Sequence, residues 1–286
     1  MLETEQIIKR VVEKHKTCSF LYAIVLGGSC VTGAATEMSD IDIGLYYDRC
    51  KIDYLELNLI AKQIDDYHRE NLICEEGEWG KWVNCGGWLI INSRPVDLIM
   101  RDWARVKRVV LDTDQGKYSC HYHTGHPHAY VDVMYRGELA SSKVLYTSNQ
   151  EFLAIKQHAE KYPHKLKETM IHSFLSEAQF TCKQVEKSAG RADVYYFTGQ
   201  VFRAISAMNQ VLFALNEEWL LNEKKAVFRA MNLDKHPEEY AERTEDIFTA
   251  IHTSPAKAAR ELKTLCEEVV ALCSEEKYNP SSERSY

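Results

Sequence analysis

The sequence predicts an α+β protein in two parts: a sheet-and-helix domain over residues 1–148 and an all-helical bundle over 149–278, followed by a flexible tail at 279–286. Three observations predict it. Strand-like and helix-like stretches alternate up to about residue 100, helical periodicity takes over from Asn149, and glycine becomes rare beyond that point. With 286 residues and 45% hydrophobic composition, each part has enough apolar mass for a core of its own.

Residues 3–16 place Ile7, Ile8, Val11 and Val12 at helical spacing, and Phe20 to Leu26 then reads as a strand. Gly27 and Gly28 end that strand, and a second one runs on from Asp42 through Tyr47. Residues 54–73 are amphipathic and helical. The stretch from Gly77 to Met100, rich in tryptophan, glycine and isoleucine, reads as strands with tight turns. The expected order is therefore α, β, β, α, β, β. In the bundle, helices are expected over 149–161, 163–188, 192–221, 237–251 and 255–274, punctuated by Pro163, Gly190, Pro237 and Pro255. Val201, Ile205, Met208, Val211, Leu212 and Leu215 recur at three and four and form a core-facing stripe.

Charge and composition exclude several classes of function. The net charge of -7 is mixed along the chain with no basic stripe, which argues against nucleic acid as the main partner and for a small, preferably cationic one. The apolar runs are too short to span a bilayer, and the start of the chain, MLETEQIIKR, has acids and no apolar core of a signal peptide. Nine cysteines without a CxxC pair suit free thiols in a reducing compartment, so a cytoplasmic location and no membrane partner are expected.

The strongest local signal is VLGGSCVTGAATEMSDIDIGLYY, residues 25–47. Residues i and i+2 of a strand share a face, so Asp40 and Asp42 are expected to project together while Ile41 and Ile43 pack behind them. Two adjacent carboxylates repel and resist desolvation unless a cation neutralises them. Paired hard oxygens are what Mg²⁺ takes when it also holds substrate phosphates. The Gly27-Gly28-Ser29 turn lets backbone N–H groups and the Ser29 hydroxyl come close to phosphate oxygens. Asp97, in RPVDLIM, is again an acid among apolar strand residues and is the candidate for a third carboxylate. Asp48 and Asp102 read as solvated strand or loop ends.

Gly28-Ser29, ten intervening residues and Asp40-Ile41-Asp42-Ile43 resemble the signature of the polymerase-β-like nucleotidyltransferase superfamily, with Asp97 similar to its third carboxylate. The helical second half resembles that of its small-molecule members, the aminoglycoside and lincosamide nucleotidyltransferases. The resemblance implies a mixed, mostly antiparallel sheet backed by helices, then a bundle, with the active site in the cleft between them. It also implies an enzyme that transfers NMP, usually AMP, from an NTP such as ATP to a hydroxyl, releasing pyrophosphate. Two Mg²⁺ ions on Asp40, Asp42 and Asp97 would serve that chemistry, with Gly28 and Ser29 at the nucleotide. Asp97, or a carboxylate of the helical half such as Glu177 or Glu168, would take the acceptor proton. The expected partners are an NTP and a small hydroxylated acceptor, and a homodimer is compatible with this reading. Two other readings stay open: a protein-AMPylating or RNA-modifying minimal nucleotidyltransferase, and a non-catalytic nucleotide sensor.

Three further features are ambiguous. Lys224 and Lys225 follow the helix expected over 192–221, where Lys224 is the candidate for a β- or γ-phosphate contact and an exposed basic helix end is the plainer reading. CHYHTGHPHAY, 120–130, has residue types that suit zinc but matches none of the strong two-plus-two spacings, so a solvent-exposed polar loop joining the domains is expected, with acceptor contact as the functional alternative ahead of metal binding. Trp79, Trp82 and Trp88 are expected in sheet packing, with a cleft-exposed ring for base or sugar stacking as the alternative.

Overall fold

A computed structural model describes residues 2–28, 39–190 and 193–276. Seventeen elements follow in order: α1 Leu2–His15, β1 Leu21–Leu26, β2 Ile41–Tyr47, α2 Tyr54–Ile64, β3 Cys85–Ile91, β4 Arg94–Asp102, α3 Trp103–Asp114, β5 Cys120–His123, β6 His126–Val131, α4 Val133–Ser141, β7 Lys143–Thr147, α5 Gln150–Ala159, α6 His164–Ser188, α7 Val194–Leu215, α8 Ala226–Ala230, α9 Tyr240–Thr253 and α10 Pro255–Glu275. They divide into two compact units, Met1–Leu111 with Val131–Lys161, and Asp112–Tyr130 with Tyr162–Tyr286. The boundary expected between 148 and 149 differs from this division. The hairpin of β5 and β6 groups with the helical unit, where its His128 bonds Glu177 and Glu223, while α5 stays with the sheet. The tail at 279–286 lies outside the described residues.

The first unit is built on a five-stranded mixed sheet in the order β3-β4-β2-β1-β7. Only the β2–β4 pair is parallel; β1–β2, β1–β7 and β3–β4 are antiparallel. Strand alternation sorts the side chains by face. Ile41, Ile43, Leu45 and Tyr47 of β2 join Val96, Leu98 and Met100 of β4 in one core, into which α1 sends Ile7 and Val11 and α2 sends Leu57, Ile60, Ala61 and Ile64. The opposite face therefore takes Asp42, Gly44 and Tyr46 from β2, and Asp97, Ile99 and Arg101 from β4. One end of that face is covered: Tyr46 packs edge-on against Trp103 and Phe152, and Arg101 pairs with Glu138 at 2.8 Å. The other end carries the aspartates.

The helix expected over 54–73 stops at Ile64. Asp53 caps its start through Leu55 and Glu56 N–H, while Asp65 leaves the helical region, and His68 and Asn71 adopt positive φ. Apolar periodicity runs on through Leu72 and Ile73, but these residues pack over β3 from a turn: a side chain at Gly87 would strike both. Asp102 is buried rather than solvated, and it accepts the Ala104 N–H at the start of α3.

In the second unit α6 and α10 begin and end within one residue of the expected bounds, and all six stripe residues of α7 are buried. Proline opens α6 from the N-cap position and α10 from its first turn. The helix expected to reach residue 221 ends instead at Leu215. Asn216 caps it by donating to the carbonyls of Leu212 and Lys235 and accepting from Lys235 N–H. All eight described cysteines are free thiols, and no helix among the described residues is long and apolar enough to cross a membrane.

Candidate active site

The register of β2 against β4 places Asp42 directly opposite Asp97 on the sheet face away from α1 and α2. Directly opposed residues share a face, with Cβ atoms roughly 5 Å apart. Asp97 is half-buried, and its carboxyl is pushed up to about 6, first by loss of water and then by the charges of Asp42 and Asp40. The ladder of β2 starts at Ile41, so Asp40 stands just before the strand and is exposed. Arg94 reaches that approach, donating from Nη2 to the carbonyl of Ser39 at 2.9 Å.

Glycine is demanded at Gly28, just past the end of β1. Gly27 N–H donates to the Asp42 carbonyl at 2.9 Å, extending the ladder past Leu26. Gly28 then turns with φ of +60°, and a Cβ at that position would collide with the Asp42 carboxylate. The backbone of Gly28 is thus laid against an acid, a contact no larger residue permits. Ser29 lies outside the described residues.

Trp88 of β3 faces Asp97 across the antiparallel ladder and is 60% exposed. Trp79 stacks on it, with ring centroids 4.5 Å apart and planes at 23°. Of the sequence candidates, Gly28, Asp40, Asp42 and Asp97 come together in the first unit. Lys224 is an exposed residue of the second unit, in the turn before α8, well past the end of α7, so no helix dipole of α7 acts on it.

The histidine-rich segment is a two-stranded hairpin rather than a loop, with only Thr124 and Gly125 in its turn. Its histidines have separate partners: His121 Nε2 meets Ser119 Oγ at 2.7 Å, His123 Nδ1 the Thr124 carbonyl at 2.7 Å, His126 Nδ1 is 3.4 Å from Glu223, and His128 Nε2 is 3.2 Å from Glu177. Glu177 also pairs with Arg203 at 2.8 Å. Burial opposes ionisation of Glu177, yet these two partners hold it below the usual carboxylate range. Among the described residues no group of three or more His, Cys, Asp or Glu side chains is arranged to enclose a metal ion.

Sequence reasoning missed Arg94 and the placement of Trp88. The first signals itself only as a basic residue in the same strand as Asp97. The second depends on the β3–β4 register, which no local pattern encodes.

Known protein families match two stretches of the chain: residues 4–107 match the nucleotidyltransferase domain, and residues 137–224 match a domain of unknown function (DUF4037). No curated protein matches the sequence. Among solved structures, a nucleotidyltransferase-like protein from Exiguobacterium sibiricum 255-15 aligns over 96% of this chain and 78% of its own, with 9% identity and a TM-score of 0.46. Spectinomycin adenyltransferase AAD(9) from Enterococcus faecialis, solved with ATP and spectinomycin, aligns over 94% of this chain and 99% of its own, with 11% identity and a TM-score of 0.38. Residues 4–107 thus form a nucleotidyltransferase domain, and that stretch holds Gly28, Asp40, Asp42 and Asp97.

Proposed function

We propose that the chain transfers a nucleotide, AMP by preference, from a magnesium-bound nucleoside triphosphate to a hydroxyl of a small molecule, releasing pyrophosphate. The observation that carries this reading is the Asp42–Asp97 pair, opposed in register beside the Gly28 backbone. A hydroxylated, cationic acceptor of the aminoglycoside or lincosamide kind fits the net negative charge and the local excess of carboxylates.

The donor set fits magnesium in one particular way. Three carboxylates acting on one another suit an ion that takes one or two protein oxygens and phosphate oxygens for the rest. Asp42 and Asp97 would hold it, with Asp40 adding charge beside them. When bound, magnesium neutralises triphosphate charge and polarises the α-phosphate. The triphosphate would lie against the backbone of Gly28 at the end of β1. The bond from the acceptor oxygen to the α-phosphorus forms, and the bond from that phosphorus to the bridging oxygen of the β-phosphate breaks. Pyrophosphate leaves with the electron pair, and a carboxylate oxygen of Asp97 accepts the hydroxyl proton.

The test is pyrophosphate release from Mg-ATP with a panel of aminoglycosides, lincosamides and other hydroxylated compounds. Turnover with at least one of them, lost in Asp42→Asn, is the expected result. Labelling of protein or RNA alone from α-labelled ATP would transfer the reading to a macromolecular acceptor. Nucleotide binding with no acceptor of any kind would leave a sensor.

A further inference from the structure

We infer that Trp88, backed by Trp79, is the surface on which the ring of the acceptor lies. The inference deepens the nucleotidyl-transfer reading and rests on it.

Four residues make a row across this sheet face: Gly28 at the end of β1, Asp42 on β2, Asp97 on β4 and Trp88 on β3. Neighbouring strands are roughly 5 Å apart, so the row has two well-separated ends with the carboxylates between them. In phosphoryl transfer the attacking and leaving oxygens lie roughly in line on opposite sides of the phosphorus. With the triphosphate tail at the Gly28 end and the phosphorus over the carboxylates, the attacking hydroxyl arrives from the β3 end. Trp88 is the side chain that stands there.

The indole is built into place rather than incidentally exposed. Large aromatic side chains are normally withdrawn from water, yet Trp88 is 60% exposed at the centre of an edge strand. Edge strands that only need protection from pairing carry charges, bulges or proline. Trp79 supports the exposed ring by lying over Gly86, where a side chain would strike the six-membered ring of Trp79. An indole on a strand, stacked on a second one from the turn before it, presents a flat surface at little further entropic cost on binding. The chemistry of the occupant follows from its neighbours. A flat apolar ring beside Asp97, Asp42 and Asp40 favours a partner with a C–H or planar face and a protonated amine, which gains from both the indole and the carboxylates.

The test measures two affinities by calorimetry on the full chain: Mg-α,β-methylene-ATP as the nucleotide probe and kanamycin as the amino-sugar probe. In Trp88→Ala the kanamycin Kd should weaken by about tenfold or more, and in Trp88→Phe by no more than about threefold, as loss and partial retention of an aromatic contact require. The nucleotide Kd should stay within about twofold in both variants, which also reports that they fold. Loss of nucleotide affinity in Trp88→Ala, with Trp88→Phe intact, would overturn the inference in favour of a nucleobase platform. Kanamycin binding unchanged by Trp88→Ala, or absent from a wild-type chain that binds nucleotide, overturns it as well. A wild-type chain that does not bind the nucleotide analogue sinks the nucleotidyl-transfer reading itself, an outcome distinct from the others.

Discussion

Asp65 and Asp97 are two carboxylates withdrawn from water beside the same β3–β4 hairpin, and the fold treats them in opposite ways. Asp65 is fully buried and surrounded by donors: Arg69 Nη2 at 2.6 Å, Arg69 Nε at 3.0 Å and the Ile90 N–H at 2.9 Å. Its bonds to Arg69 hold it far below the usual carboxylate range, overcoming the burial that opposes its charge. Asp97 is half-buried next to two more acids, and burial and repulsion push it up to about 6. One acid is matched by cations and N–H groups of its own chain, as a structural charge is. The other sits among like charges, an arrangement that lowers stability and is retained where a ligand supplies the opposite charge.

That contrast yields its sharpest test at the aspartates of the sheet face. Asp42→Asn should lower nucleotidyl transfer on the order of a thousandfold, because the pair loses the charge that complements a cation and triphosphate. The same substitution should leave the melting temperature equal or higher, since it removes one of the charges that raises Asp97. Pyrophosphate release and a thermal melt on the same preparation check both halves. Retained activity would remove Asp42 from the reaction, and a large drop in stability would make it a structural acid like Asp65.

Asp65→Asn should show the reverse pattern, with a loss of about 2 kcal/mol in denaturant unfolding, the size expected of charged hydrogen bonds to a partner that is itself part-exposed. The pH dependence fixes its sign. A carboxyl depressed in the folded state contributes stability above its unfolded value, about 3.9, and loses it as pH falls toward the folded one. The gap between wild type and Asp65→Asn should therefore be full near neutrality and close below about pH 4. A gap that stays constant across that range would mean that Asp65 acts through packing alone.

The same two acids show what the sequence makes legible. Alternation in D-I-D-I announces β2, and an acid isolated among Pro95, Val96 and Leu98 announces Asp97, because buried strand residues leave few reasons for a carboxylate. The order of the first six described elements and the stripe of α7 are equally legible from spacing. Asp65 is not. It follows an unbroken apolar period that continues to Ile73, and only its tertiary partners, Ile90 of β3 above all, explain why the helix stops there. The short strand β7 is missed for a related reason: Leu145 and Tyr146 are only part-buried on a sheet edge, and such a strand lacks strong alternation. Trp88 is visible as a residue but not as a site, since its meaning comes from standing opposite Asp97.

The smallest effect concerns how close the backbone comes to the acid pair. Gly28→Ala introduces a Cβ at φ of +60°, which costs about 1 kcal/mol of backbone strain, and directs it at the Asp42 carboxylate. If that glycine served only the turn, Asn, which tolerates the left-handed region, would restore most of the stability and all of the function. If instead the missing side chain lets the Asp42 carboxylate keep its place against the Gly28 backbone, Ala and Asn should both raise the KM for Mg-ATP by about tenfold, whatever their stability. The KM for the acceptor should move little, because its proposed surface lies at the β3 end of the row, with both carboxylate strands in between. Stability recovered by Asn without recovery of the nucleotide KM separates a glycine needed for its conformation from one needed for the space beside the carboxylate.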